Sequence, residues 1–225
     1  ARKGVVIWDV RRPPRDLPVS TGDRPTDRPV LMTVGSDCNT GKMTASVEIV
    51  RGLGRAGVSA GFAASGQTGI MIEGRGIPID AVKADFIGGA TERLVAETAP
   101  GNDVVVVEGQ GSILHPGYAG VTVGMLTGAL PDGLVLCHQP TRREIRNCGV
   151  EMPPLSRLAD LYGKAAPGIK EFPVICIALN TFDLDEGRAR QADESAVEET
   201  GLPATDPVRF GPGVLIEAIR RVFSI

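Results

Sequence analysis

Apolar positions along this chain follow two rhythms. Continuous runs at Val30-Leu31-Met32-Thr33-Val34, Val58 to Ala64, Val104-Val105-Val106-Val107, Leu134-Val135-Leu136-Cys137 and Val174 to Leu179 read as strands. Those that are apolar at nearly every position read as strands buried on both faces of a parallel sheet. Helical spacing fills the intervals. Lys42 to Arg55 carries Ala45, Val47, Ile49, Val50 and Leu53 and is closed by Gly54 and Gly57. Further helices are expected over Asp80 to about Thr98 with Asp80 as N-cap, then Val121 to Leu130, Leu155 to Lys164, Glu186 to Thr200 and Val214 to Val222. Val5 to Val10 reads as one more short strand. Strands alternating with helices predict an α/β fold with a doubly wound, mostly parallel sheet. In such sheets ligands bind at the carboxyl ends of the strands. No internal repeat is visible.

Composition sharpens this in a few places. The 225 residues are 42% hydrophobic and 23% charged, enough to bury one sizeable core. The chain holds 29 glycines and 17 prolines, about a fifth of its length, against roughly 12% on average. Five of those prolines fall between positions 13 and 29. They forbid helix there and predict an extended arm or linker over residues 1–29, with the α/β domain over 30–225. Net charge is −3, so no overall basic footprint suggests nucleic acid. Residues 1–28 are locally basic and 183–206 locally acidic, the ordinary signature of solvated surface. No apolar run reaches the length of a membrane span. Cys38, Cys137, Cys148 and Cys176 lack Cys-x-x-Cys spacing and read as reduced thiols of a cytoplasmic protein, with no metal site expected. The chain starts at Ala1 and shows no signal peptide; it reads as a piece of a longer protein.

The candidate chemistry begins at Gly35-Ser36-Asp37-Cys38-Asn39-Thr40-Gly41-Lys42-Met43-Thr44. This segment follows a strand and opens a helix, as a phosphate loop does. Successive backbone N–H groups and the helix N-terminus attract an anion, Lys42 adds a point charge, and Gly41 permits close backbone approach. Gly35, Ser36, Asn39, Thr40, Gly41, Lys42, Met43 and Thr44 are therefore the expected phosphate-binding residues. Two features depart from the usual loop. Ser36 stands where the first glycine is normally found. Met43 stands where a serine or threonine normally holds Mg²⁺, and a thioether is a poor ligand for so hard a cation. Thr44 points about 100° away from that position on the helix.

Further candidates lie at other strand ends. Glu108 closes an apolar strand ahead of Gly109-Gln110-Gly111-Ser112 and is placed to take a proton, orient a water or bind a metal. His115 follows as an acid/base or phosphate donor. Gln67 and Thr68, within Ser65-Gly66-Gln67-Thr68-Gly69, suit hydrogen bonding to a small polar substrate. Asp85, Gly88, Gly89 and Glu92 share one helix face, which can admit a ligand or another backbone; Asp85 is a third candidate base. Arg142, Arg143 and Arg146 are placed to grip a carboxylate or phosphate. Asn180-Thr181-Phe182-Asp183 ends a strand where nucleotide-binding proteins often read a base.

Gly-Ser-Asp-x₃-Gly-Lys with strand-Glu-Gly-x-Gly resembles dethiobiotin synthetase, an ATP- and Mg-dependent ligase. A closer resemblance, spanning nearly the whole chain, is to the DgcN family of D-glutamate N-acetyltransferases. It is carried by Asp9-Val-Arg-Arg-Pro-Pro14, Gly35 to Thr44 with Met43 included, Gly66-Gln-Thr-Gly69 and Glu108-Gly-Gln-Gly-Ser112. The resemblance implies a phosphate-loop NTPase-like fold and acetyl transfer from acetyl-CoA to the amine of an acidic D-amino acid. It also implies a preceding Rossmann-like domain of on the order of a hundred residues. Acetyl-CoA is then the co-substrate, its phosphates on the loop around Lys42 without a metal. For that reaction the positions of Glu108, His115 and Asp85, and not the resemblance, make them the candidate bases, and those of Arg142, Arg143 and Arg146 make them the candidate holders of the substrate carboxylates. Partners are a small-molecule substrate, the protein's own N-terminal domain and other copies of itself; neither nucleic acid nor membrane is expected. An ATP/Mg-dependent ligase or kinase and a nucleotide-binding regulatory module are the alternatives.

Overall fold

The computed structural model describes residues 7–166 and 168–225. Its centre is a six-stranded parallel sheet whose strands run from edge to edge as Ala60–Ala63, Val104–Val107, Val30–Gly35, Gly133–His138, Val174–Leu179 and Ala204–Thr205. The strands are β1 (Val30–Gly35), β2 (Ala60–Ala63), β3 (Val104–Val107), β4 (Gly133–His138), β7 (Val174–Leu179) and β8 (Ala204–Thr205). Two residues each form β5 (Glu144–Ile145) and β6 (Val150–Glu151), an antiparallel hairpin.

Strand alternation divides the core into two layers. Val30, Met32 and Val34 face one side with α3 (Ile87–Thr98), α4 (Ala119–Ala129), α5 (Leu155–Gly163) and α6 (Glu186–Thr200). Leu31 faces the other with α1 (Lys42–Arg55) and α7 (Gly213–Phe223), whose Ile49, Leu53, Leu215 and Ile219 are fully buried. This is the expected doubly wound sandwich. Neighbouring strands β1 and β3 open the chain into connections on opposite sides, which leaves a crevice at their carboxyl ends.

The expected helix from Asp80 needs correction. Asp80 lies in a short 3₁₀ turn (Ile79–Ala81), Asp85 in a second (Ala84–Phe86), and α3 starts only at Ile87. Val82 and Lys83 between them are extended, with ψ of 140° and 142°, which breaks the helical hydrogen-bond ladder. Asp80 caps nothing; it pairs with Arg11 at 3.3 Å. A further helix, α2 (Gln67–Glu73), stands where only a turn is expected. Of the strand expected over Val5 to Val10, Val5 and Val6 lie outside the described residues, and Ile7–Val10 form no strand.

The proline-rich arm lies along the domain without regular structure. Ser20 Oγ and the Thr21 N–H and Oγ1 donate to the Glu92 carboxylate at 2.8–3.0 Å. Arg24 donates twice to Asp132 at 2.8 Å. The α3 face carrying Gly89 is thus used to admit another backbone: a Cβ there would collide with the Pro18 carbonyl. Gly89→Ala is expected to cost about 1–3 kcal/mol of stability and to loosen the arm. Trypsin should then cut faster after Arg15. Unaltered cleavage and melting temperature would mean that this contact does not hold the arm.

Candidate functional site

The phosphate loop is shaped by residues of the loop and by three side chains behind it. Gly41 takes φ 99° and Asn39 φ 56°, left-handed values that turn successive N–H groups toward one concavity. The first N–H groups of α1 have no intrahelical acceptors and add to it. Behind the loop, Tyr162 Oη donates to the Gly35 carbonyl at 2.7 Å, Ser112 Oγ donates to the Ser36 carbonyl at 3.1 Å, and His138 Nδ1 meets Ser36 Oγ at 2.9 Å. Asp37, fully buried, fastens the outer turn. It accepts from Arg142 Nη1 and from the Arg146 and Cys38 N–H groups at 2.7–2.8 Å. Burial opposes its ionisation, but these donors prevail and hold its carboxyl below the usual range.

Lys42 sits inside this cradle, 8% exposed. Its Nζ donates to the Asp37 carbonyl at 2.8 Å, its one hydrogen-bond partner among the described residues. Burial pushes its ammonium below the usual lysine range. Glu108 lies across from it at the end of β3, also buried. Its Oε2 accepts from the Ser65 and Gly66 N–H groups, 3.0 Å each. Burial outweighs these bonds and the nearby lysine, and raises its carboxyl above the ordinary glutamate range. The next residue must be glycine, because any Cβ on Gly109 would run into the Thr33 carbonyl of β1; the Gly109 N–H donates to Thr33 Oγ1 at 3.0 Å.

Two cavities open from the loop. The wider one, ≈ 820 Å³, is polar and is lined by Asn39, Gly41, Lys42, Met43, Thr44, Gln67, Thr68, Glu108 and His115, together with Asp80, Tyr118, Arg146 and Asn180. The narrower one, ≈ 180 Å³, lies between Thr40, Gly41, Thr44 and Ala45 on one side and Asn180, Phe182 and the 206–209 segment on the other. Gly35, Ser36 and Thr40 support the loop from within: Thr40 Oγ1 donates to the Asp37 carbonyl at 3.1 Å.

Not every candidate arrives at the cavity. Asp85 is exposed on its 3₁₀ turn and Arg143 is exposed on the segment before β5, and neither lines either cavity. Arg142 is committed to Asp37 and to the Cys38 carbonyl, so of the three arginines Arg146 is the one that faces the wide cavity. Tyr162 and His138 were not legible as site residues. The only sequence signal for His138 is a lone histidine ending an apolar strand.

That histidine yields a stability prediction. Burial drives the His138 imidazole down to about 4, so the folded chain resists a proton that the unfolded chain takes up near pH 6.5. The unfolded state therefore binds more protons between those values, and stability falls as pH drops from 6.5 toward 4, by up to about 3 kcal/mol. Urea titrations across that range should show the slope in the parent protein and a flatter one in His138→Gln. Identical slopes would place the titration elsewhere.

A parallel α/β sheet with a lysine-bearing loop between β1 and α1 defines a P-loop domain. The chain belongs to the family described as "Domain of unknown function (DUF1611_C) P-loop domain", which matches residues 18–216. It is 38% identical over 97% of its length to a D-glutamate N-acetyltransferase of Tritonibacter scottomollicae, and 35% identical over 91% to one of a Pseudoalteromonas species. It spans 66% and 62% of those two relatives' lengths. A crystal structure of a DUF1611 family protein from Anabaena variabilis superposes with a TM-score of 0.91 at 41% identity, covering 97% of this chain and 65% of that one. The resemblance expected from Gly35–Thr44 and Glu108–Ser112 is thereby borne out at the level of family and fold.

Proposed function

We propose that this domain binds acetyl-CoA, with its phosphates in the Lys42 cradle, and that the protein transfers the acetyl group to the amine of D-glutamate. The observation that carries this is Lys42: a buried ammonium at the loop-to-helix junction whose single hydrogen-bond partner among the described residues is a backbone carbonyl. Such a group gains most from an anion. Met43 offers no hydroxyl for magnesium, and Asp37 is already taken by Arg142 and two N–H groups. Both features suit a phosphate ligand that needs no metal and weigh against an ATP-dependent ligase or kinase. The narrow cavity beside Phe182 fits a flat heterocycle such as adenine, while the wide cavity leaves room for the acyl arm and the acceptor.

In this reading the uncharged amine attacks the thioester carbonyl carbon, the C–S bond breaks and CoA leaves as thiolate. Glu108 takes the amine proton; its buried carboxyl, raised above the ordinary glutamate range, suits a general base. Arg146, with Gln67 and Thr68, holds the carboxylates. The names of the two curated relatives support the substrate class. The test is thiol release when the protein is mixed with acetyl-CoA and D-glutamate, at substrate levels above a typical KM of ~1 mM. Release that requires the amino acid, without ADP formation from Mg·ATP, is expected. Substrate-stimulated ADP formation with no thiol release would favour the ligase instead.

A further inference from the structure

At one rim of the wide cavity, side chains with metal-binding chemistry converge from three separate parts of the chain. His115 lies between β3 and α4, and its Nε2 is 3.5 Å from Cys148 Sγ. Cys148 occupies the turn of the β5–β6 hairpin, where Asn147 and Gly149 take φ of 60° and 62°, so the turn is tight and its tip faces the phosphate loop. Cys38 arrives from that loop: the ligand atoms of Asp37, Cys38 and His115 all lie within 4.8 Å of one another, and Cys148 stands outside that group, joined to it through His115.

Zinc bonds of about 2.3 Å to sulfur and about 2.0–2.1 Å to nitrogen, arranged tetrahedrally, hold nitrogen and sulfur ligands about 3.5 Å apart. The His115–Cys148 pair already has that spacing. Two thiolates and an imidazole are donors that select zinc over magnesium or calcium. We propose that Cys38, His115 and Cys148 bind one zinc-class divalent cation at the cavity rim, with a fourth position open toward the cavity. Asp37 already accepts three hydrogen bonds, from Arg142 and from the Arg146 and Cys38 N–H groups, so it is assigned the negative charge behind the ion and not a bond. The two thiolate charges offset the ion against neighbouring Lys42 and Arg146.

The metal-free arrangement shows what binding displaces. The Cys148 thiol donates to the Arg146 carbonyl at 3.3 Å, and the Gly117 N–H donates to His115 Nδ1 at 3.1 Å. That second bond places the ring proton on Nε2. Coordination releases both thiol protons and moves the ring proton to Nδ1, at the expense of the exposed Gly117 contact. The inference does not rest on acetyl transfer, because neither Lys42 nor Glu108 is a ligand.

Cobalt(II) is the probe, added to the tag-free, phosphine-reduced 225-residue chain. One equivalent should bind, with thiolate-to-cobalt charge-transfer bands in the near ultraviolet and intense visible bands of a four-coordinate ion. Zinc(II) should bleach both. Cys148→Ser and Cys38→Ser should each weaken binding at least about tenfold while the melting temperature holds. Cys176→Ala, in the buried core of β7, should leave the bands intact. Absence of the charge-transfer band at excess cobalt overturns the proposal, and so does an undiminished cobalt affinity in either serine variant.

Discussion

Lys42→Met is expected to leave the domain folded and to take away its phosphate ligand. The methionine keeps most of the lysine stem that packs under the loop and discards a buried ammonium whose one partner among the described residues is the Asp37 carbonyl. The ligand-free variant should therefore melt at or above the parent's temperature, since an under-paired buried charge is removed. Affinity for acetyl-CoA should fall about 30- to 1,000-fold, corresponding to about 2–4 kcal/mol of charge-assisted contacts. Calorimetric titration and thermal melting together decide this. A lysine that merely supports the loop would give the reverse pattern: a lower melting temperature and unchanged affinity.

The second large effect falls on Glu108. Glu108→Gln retains an amide oxygen that can accept from the Ser65 and Gly66 N–H groups, as the carboxylate does at 3.0 Å. Its fold should hold while kcat falls by about 10²–10⁴, the range for loss of a general base. KM for acetyl-CoA should change little, because the proposed phosphate site is on the Lys42 side. The parent's pH–rate profile should have an acid limb above the ordinary glutamate range, set by burial of the carboxyl, and the variant should lose that limb. Glu108→Ala is a harsher change: it leaves two buried N–H groups without acceptors, at a cost of about 1–3 kcal/mol each. A glutamine variant with full activity would assign the proton to another group, with His115 next in position.

What could be read from the sequence follows from how local each signal is. The five long parallel strands were legible because an apolar run such as Val104–Val107 has no other economical reading, and the loop was legible because strand, Gly-Lys and helix come in sequence. The elements that escaped are those defined by contact across the fold. β8 is two residues held by pairing with β7, and the β5–β6 hairpin is two pairs long. Helix α2 is seven residues containing Gly69 and has no capping side chain. The Asp80 region has helical composition, yet extended Val82 and Lys83 divide it. In the site, Lys42, Glu108, Gln67, Thr68 and His115 were named from position alone and do meet in one cavity. From the sequence Arg142 is one of three arginines placed to grip a carboxylate or phosphate; its pairing with Asp37, 105 residues away in sequence, leaves no local trace.

The most direct test of the account is a thermal-shift comparison of acetyl-CoA in EDTA, ATP in EDTA and Mg·ATP, each with the parent and with Lys42→Met. Ligand at a hundred times Kd stabilises by about 2.7 kcal/mol. Acetyl-CoA is expected to stabilise the parent fully in EDTA, and Lys42→Met is expected to abolish the shift. Stabilisation by Mg·ATP alone, or acetyl-CoA protection undiminished in Lys42→Met, would contradict the account.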